Sequence, residues 1–416
     1  MRPMTNKPAF LLLSAFISAC SLSAQTNNQT SSPYSLFGLG RFNDANTGKT
    51  NALGKSGTAL SSEKEINNLN PASFATIKKN SFLFDVGAKA EMNTFTNEIN
   101  DTKVTTVSFS SLAFAFQLDR RSGIGLSLSP YSDVGYNLLG IENTVEGSTE
   151  SYFSNIKGSG GLNEIKLNYG RSFSEKLRIG ASLSYHFGKI SEVEIAKLNE
   201  DYLMMDDKNY YSGLKAAIGM QYDINKKMTI SSVIGLPTAL NGTKDYRILK
   251  LVEGSESVVK EDSESIADFK LPLTLNIGIK AQIGKTLTLN ADYTRSQWSA
   301  TEMEDNIGQF TDQDFIAAGL EYTSERKNNL LQKITYRLGG NYDTGYLSID
   351  GNKVSGFALT SGLGIPLDYR TNTFINVSYT YGQRGQMSNS LIHENYHLLT
   401  LNLSLEDIWF VKRKYE

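Results

Sequence analysis

The chain repeats every second residue. Leu271, Leu273, Leu275, Ile277, Ile279 and Ala281 fall on one side of an extended backbone, with Thr274, Asn276, Gly278 and Lys280 on the other. The pattern returns at 287–294, where Leu287, Leu289, Ala291 and Tyr293 oppose Thr288, Asn290, Asp292 and Thr294. It returns at 177–187, with Leu177, Ile179, Ala181, Leu183, Tyr185 and Phe187 opposite Arg178, Gly180, Ser182, Ser184 and His186. At 397–405 the leucines 399, 401, 403 and 405 oppose Leu398, Thr400, Asn402 and Ser404. Strict alternation means a strand with one oily and one wet face. These segments carry no helical period.

Such runs between Ser81 and Phe410 predict about fourteen strands of roughly 9–20 residues, long enough to cross a bilayer when tilted. Their expected starts are Ser81, Val104, Gly123, Ser148, Leu177, Tyr211, Met228, Ile266, Thr286, Asp314, Lys333, Lys353, Thr373 and Asn395. The connections alternate as well. Short ones are expected at 119–122, 173–176, 225–227, 284–285 and 368–370. Longer polar ones are expected near 140–148, 191–210, 241–265, 295–313, 343–352 and 382–394; the turn at 323–332 is not short. Outer-membrane barrels have this asymmetry, with tight periplasmic turns and longer outer loops. A soluble propeller or sandwich would show similar loops at both ends. The expected fold is therefore all-β: a fourteen-stranded antiparallel transmembrane β-barrel over residues 81–410. In lipid, closure satisfies every backbone donor and acceptor, which an open sheet cannot do.

Composition agrees with this fold. The 416 residues carry Lys+Arg 41 against Asp+Glu 43, so nothing in the charge calls for a nucleic-acid partner. The single cysteine excludes an internal disulfide framework. Arg2 and Lys7 precede the short apolar run 10–17, as in an export signal. Cleavage after Ala24 gives a signal peptide over 1–24, while Ile17-Ser18-Ala19-Cys20 offers the competing reading of an acylated Cys20. Either way the protein leaves the cytoplasm; with the barrel pattern this predicts a protein of the bacterial outer membrane, with the bilayer as its first partner. The end of the chain places Trp409 and Phe410 where an interfacial girdle would sit, followed by a charged tail over 411–416.

Residues 25–80 lack the two-residue period. Gly38-Leu39-Gly40-Arg41, Ala52-Leu53-Gly54-Lys55-Ser56-Gly57 and Asn67-Asn68-Leu69-Asn70-Pro71-Ala72-Ser73 combine small residues with tight turns. They suit a compact segment packed inside a barrel.

Together these features resemble the FadL-type outer-membrane transporters of hydrophobic compounds. The Gly-rich segment ending in Asn70-Pro71-Ala72 carries the resemblance, with Gly158-Ser159-Gly160-Gly161-Leu162-Asn163, Phe269-Lys270-Leu271-Pro272, the run 287–293 and Trp298. Ser73 stands where the family commonly has Gly. The resemblance implies that 25–80 is a hatch plugging the barrel. It also implies a ligand that leaves sideways through a kink in the third strand, expected over 123–138, with Pro130 and Gly135 at the opening. Proline cannot donate to a ladder, so Pro130 should disturb pairing there. Passive passage of a fatty-acid-like hydrophobic molecule follows, with no cofactor. Some similar barrels are instead non-transporting subunits of secretion or outer-membrane assembly machinery, with other envelope proteins as partners.

Arg178, Lys280, Asp292 and Arg337 fall on the polar side of their strands. They could hold a ligand carboxylate, or pair with one another and the hatch. His393-Glu394-Asn395-Tyr396-His397 spells the zinc-protease pattern, which needs a helix to bring its histidines onto one metal. The alternation that follows makes it a strand, with the two histidines about 13 Å apart. Gly48 to Ser56 has one residue too many for a phosphate loop. No catalytic residue, metal ligand or enzyme activity is therefore expected.

Overall fold

The computed structural model describes residues 32–43, 46–96, 101–144, 151–198, 201–252, 255–303, 308–324, 333–367, 373–386 and 391–408. The export signal, Cys20, the Trp409–Phe410 girdle and the charged tail lie outside them.

Fourteen antiparallel strands close into a barrel. They are β1 (Ser81–Thr96), β2 (Asp101–Asp119), β3a (Ser122–Pro130) with β3b (Ser132–Thr144), β4 (Ser151–Ser172), β5 (Leu177–Leu198) and β6 (Asp201–Asn225). There follow β7a (Met228–Gly235) with β7b (Thr238–Val252), β8a (Ser255–Leu271) with β8b (Thr274–Ile283), and β9 (Leu287–Ser296). The circuit ends with β10 (Gln313–Thr323), β11 (Thr335–Asp343), β12 (Gly356–Pro366), β13 (Phe374–Arg384) and β14 (His393–Ile408). Each pairs with the next. The seam joins β1 to β14 from Ser81↔Ile408 to Thr96↔His393.

The two-residue period has its expected cause. Outward side chains are apolar and bare: Ile277 is 59% exposed, Leu338 61% and Leu359 59%. Inward neighbours are polar and covered, among them Asn168, Asn290, Asn376 and Asn402. Only lipid can cover so continuous an apolar belt at low free energy. Phe116, Tyr169 and Tyr222 are exposed on strands near their short turns, Phe173 is exposed in one such turn, and Tyr322 and Tyr336 flank the longer connection at the same end, where an aromatic girdle belongs.

Two details depart from the sequence reading. The segments 191–210 and 241–265 are mostly strand, not loop. β5 pairs with β6 up to Leu198↔Asp201, and β7b with β8a up to Val252↔Ser255. Their outer halves are wet on both faces, so no oily stripe marked them as strands. The run 271–281 is also broken. Pro272 and Leu273 separate β8a from β8b, and the break reverses which side faces in. Leu271 is thus buried in the lumen, while Leu275 and Ile277 face out. His393 to His397 lies in β14 as a strand: Glu394 is fully buried, whereas His397 is exposed and bonded to the Tyr379 hydroxyl at 2.7 Å. The motif's Glu and its second histidine face opposite ways, and the zinc geometry is absent.

Residues 33–43 and 46–80 occupy the bore as three short 3-10 turns and a two-residue strand, Arg41–Phe42, joined by coil. Pro33–Leu36 packs on β3b, Gly48–Ala52 on β11 to β14, and Pro71–Thr76 on β2 to β6. Asn70 builds the last turn. Its Oδ1 accepts from the Ala72 amide at 2.9 Å, and Pro71 follows at the first position, where a missing N–H costs nothing. The wall is thinned to receive it. Side chains at Gly170 and Gly180 would overlap the backbone of Pro71 and Ala72. On the opposite wall Gly54, at φ +64, lies against Gly339 and Gly340, and Leu53 lies against Gly319.

Leu338→Arg places a charge on the lipid face at the middle of β11. It should destabilise the barrel in bilayers by ~2–4 kcal/mol. Urea unfolding in lipid vesicles measures this, and a loss below 1 kcal/mol would mean that the residue does not meet hydrocarbon.

Candidate functional site: the filled lumen and the interrupted third strand

Two structural features compete for a functional role: the fastening of the lumenal segment and a break in the wall beside it.

Four of the polar residues singled out in sequence take part in the fastening. Asp292 accepts from the Gly57 and Thr58 amides at 2.7 and 3.0 Å. Arg178 grips Asp223 through two bonds of 2.7 and 2.8 Å and donates to Gln221 at 3.2 Å. Gln221 in turn donates to the Thr58 and Leu60 carbonyls. Arg337 donates to Glu321 at 2.8 Å and Asn376 at 2.7 Å, with lumenal Glu65 at 4.0 Å. Asn70 donates across to the Met220 carbonyl of β6. Lys280 faces the lumen in the neighbourhood of Asp223 and Arg178. Pro71 and Ala72 sit on the glycine-thinned wall described above.

Pro130 and Gly135 lie elsewhere, at the broken third strand. β3a pairs with β2 between Leu112↔Leu128 and Asp119↔Ser122. After Pro130 the strand is interrupted at Tyr131. Among the described residues no ladder joins β3b to the outer half of β2, residues 101–111. β3b instead pairs with β4 and, on its free side, with Arg41–Phe42 of the lumenal segment, through Arg41↔Asp133 and Phe42↔Ser132. The Gly135 amide donates to Ser35 Oγ at 3.0 Å.

Sequence reasoning missed the charges at this break. Arg41 meets Glu91 at 2.5 and 2.9 Å, Lys89 meets Asp133 at 3.3 Å, and Asn43 bridges Lys89 and Asp133. Glu394, fully buried, lies between Arg41 and Arg384. Burial would lower the Arg41 guanidinium, but the Glu91 carboxylate outweighs it and holds the group charged. The positions were alternating polar residues like many others. Only the register brings them together, as with Arg41 and Glu91, which are 50 residues apart.

Above this network a cavity of about 380 Å³ opens in the lumen. Its walls include Phe42, Tyr131, Trp298 and Tyr346 beside Lys55, Lys215, Arg41 and Arg384. Phe42 stands 5.3–5.4 Å from the rings of Tyr131, Trp298 and Tyr346. Trp298, which sequence placed with the later strands, belongs to the loop after β9. A smaller chamber of about 80 Å³ shares Arg41, Phe42, Asn43, Asn46, Lys55, Arg384 and Tyr396 with the first. It is also lined by Pro130 and Ser110, the two sides of the break. Among the described residues no cluster of His, Cys, Asp or Glu is placed to hold a metal.

The sequence matches the family model described as BamG across residues 4–416. The chain belongs to the BamG family. No curated protein was found similar to it. Among solved structures this BamG-family chain is similar to the toluene transporter TbuX of Ralstonia pickettii, at TM-score 0.63 and 15% identity over 86% of this chain and 98% of that one. It is similar to the monoaromatic hydrocarbon channel CymD, at TM-score 0.62 and 15% identity over 88% and 98%. A FadL homologue of Pseudomonas aeruginosa gives TM-score 0.60 and 12% identity over 89% and 100%. At such identities the likeness is one of fold: the resemblance to FadL-type barrels holds for the architecture.

Arg41→Ala would strand Glu91 without its partner inside the barrel. A loss of ~3–5 kcal/mol is expected, because an uncompensated buried charge is left behind. Pairing it with Glu91→Gln should restore part of that loss; thermal unfolding of the single and double variants measures the coupling.

Tyr34 adds a pH dependence. Its hydroxyl donates to the Ile392 carbonyl and accepts from the Ile392 amide at 3.1 Å, and burial pushes it up to about 12. A phenol with a raised folded pKa stabilises the fold fully below its unfolded value, about 10, and loses that contribution as pH rises through the folded value. The attachment of residues 33–37 should therefore weaken between pH 10 and about 12. Hydrogen exchange across that window should show it, and Tyr34→Phe should remove the step.

Proposed function

We propose that this chain is a bacterial outer-membrane barrel that passes hydrophobic small molecules passively, with residues 25–80 acting as a hatch. The carrying observation is the aromatic-walled cavity and its neighbouring chamber, which touches both sides of the break in the third strand. A molecule entering from the long-loop end would rest among Phe42, Trp298 and Tyr346. It would leave sideways between β2 and β3b, near Pro130 and Gly135, once Arg41–Phe42 drew back. Moving into lipid by the side avoids a return to water, which suits an apolar solute. The channels and transporters it resembles are named for toluene, monoaromatic hydrocarbons and the FadL type, which supports the same cargo class here. Asn70, Pro71, Ala72, Arg178, Lys280 and Arg337 would then hold the hatch rather than touch the cargo, while Asp292 would hold the hatch and also line the cavity.

A second reading is favoured by the charges at the break. Arg41, Lys89, Glu91 and Asp133 lie where an apolar molecule would pass, and the hatch is tied to the wall at many points. A barrel that stays shut would work through its contacts, as a subunit of an envelope secretion or assembly complex.

Uptake of a radiolabelled long-chain carboxylic acid into liposomes carrying the purified protein separates these readings. Pro130→Val, which restores a ladder donor beside the break, should lower the initial rate by roughly tenfold, equivalent to ~1.4 kcal/mol on the barrier. Uptake unchanged in a correctly folded variant would rule out the exit at β3. Wild-type uptake no faster than that of empty liposomes would rule out transport and leave the second reading.

A further inference from the structure

The barrel wall is uneven at its long-loop end. β5, β6, β7b and β8a continue as a sheet after β9 has ended, with β6 paired to β7b from Asn241↔Ser212 to Leu251↔Tyr202. β8a is its last strand. One side pairs with β7b from Thr238↔Leu271 to Val252↔Ser255, whereas β9 reaches only to β8b, beginning at Thr274↔Ser296. Among the described residues no strand lies on the other side of 255–268. That edge is about 45 Å of open backbone donors and acceptors.

Long bare edges invite pairing, and proteins commonly blunt them with proline, bulges, short length or charge. Residues 255–268 contain no proline; β8a carries an extra residue at Val259 and another near 267–268, bulges that bend the edge without covering it. Between these bulges the edge carries charge, almost all of one sign: Glu256, Glu261, Asp262, Glu264 and Asp268 against Lys260. Glu261 meets Arg247 at 3.6 Å, Lys260 lies over the Tyr246 ring, and Ser263 donates to Asp245. Among the described residues the other four acids form no ion pair. Val258 and Val259 are 50% and 58% exposed. Among the described residues nothing covers them.

We infer that β8a is a docking edge for an extended, lysine- or arginine-rich segment of another protein, which adds to the sheet as a further strand. Backbone bonds would supply affinity, and the acids would choose the sign of the guest. A second copy of this chain is a poor guest. Antiparallel self-pairing centred on Asp262 would set Asp262 against Asp262 and Glu256 against Asp268, and like charges directly opposite destabilise a strand pair. The inference rests on neither reading of the bore, because the edge lies outside it.

The test uses the full chain in lipid nanodiscs and a fluorescent twelve-residue peptide of alternating lysine and valine, at physiological salt. Binding is expected, with protection of the amides of 255–268 from exchange. N-methylation of alternate peptide amides, which removes its donors, should weaken binding by at least tenfold, as should the charge-reversed variant E256K/D262K/E264K. Should that variant fail to fold, Asp262→Asn with Glu264→Gln should weaken binding by severalfold. A glutamate–valine peptide should not bind. Full affinity of the N-methylated peptide would overturn strand addition. Equal affinity of the folded charge variants, or binding of the acidic peptide, would overturn the choice of guest. Sedimentation showing a dimer that the charge reversal disrupts would assign the edge to a second copy instead.

Discussion

Everything in this molecule depends on the backbone ladder that closes on itself between β1 and β14. In hydrocarbon an unpaired amide or carbonyl costs several kcal/mol, about the size of a domain's whole stability. Closure removes that cost around the circumference and leaves the side chains free to divide by face. Leu338 and Leu359 can be bare and Asn402 covered because the ladder, not a packed core, holds the wall. The two places where neighbours fail to pair, beside β3b and along β8a, both lie toward the long-loop end, where water or the protein's own chain can substitute.

A closed wall with a polar inner face leaves the lumen to be filled, and the filling is mixed. Near the short turns, Ile66, Phe74, Ile77 and Leu83 make a small apolar floor. Toward the other end, Leu39, Val134, Leu162, Phe269 and Trp298 make a larger one. Between them run the buried charges. Such pairs add little net stability against well-packed hydrophobic groups, but breaking one is costly. Their effect is therefore to fix where the lumenal segment sits more than how tightly the barrel holds. Asp292 and Gln221 hold the stretch from Gly57 to Leu60 and Arg337 faces Glu65, so the segment has one register against the wall.

The fourteen strands were legible because lipid contact forces a period of two, and no other environment imposes it so strictly. The Asn70–Pro71 turn was legible because an Asn side chain and a proline each act locally. Partnerships were not. Nothing near Asp292 announces Gly57, and nothing near Glu91 announces Arg41; the register decides both, over separations that alternation does not encode. Leu271 was placed on the wrong face because a two-residue break at Pro272 shifts parity without disturbing the rhythm of leucines. The outer halves of β5 to β8a were read as loops for a related reason. With water on both faces, a strand has no pattern to display.

The glycine contacts have a temporal corollary. The turn at Pro71–Thr76 rests on β2 to β6, whereas Gly54 rests against β10 and β11, which leave the ribosome some 250 residues later. A finished cylinder offers no way to slide so snug an insert past its own glycines. The lumenal segment must therefore wait, partly docked, while the last strands wrap around it, and the β1–β14 zipper can shut only when the insert is in place. Such a chain should mature slowly, gated by its longest-range contact, and a misplaced insert would leave the seam ajar.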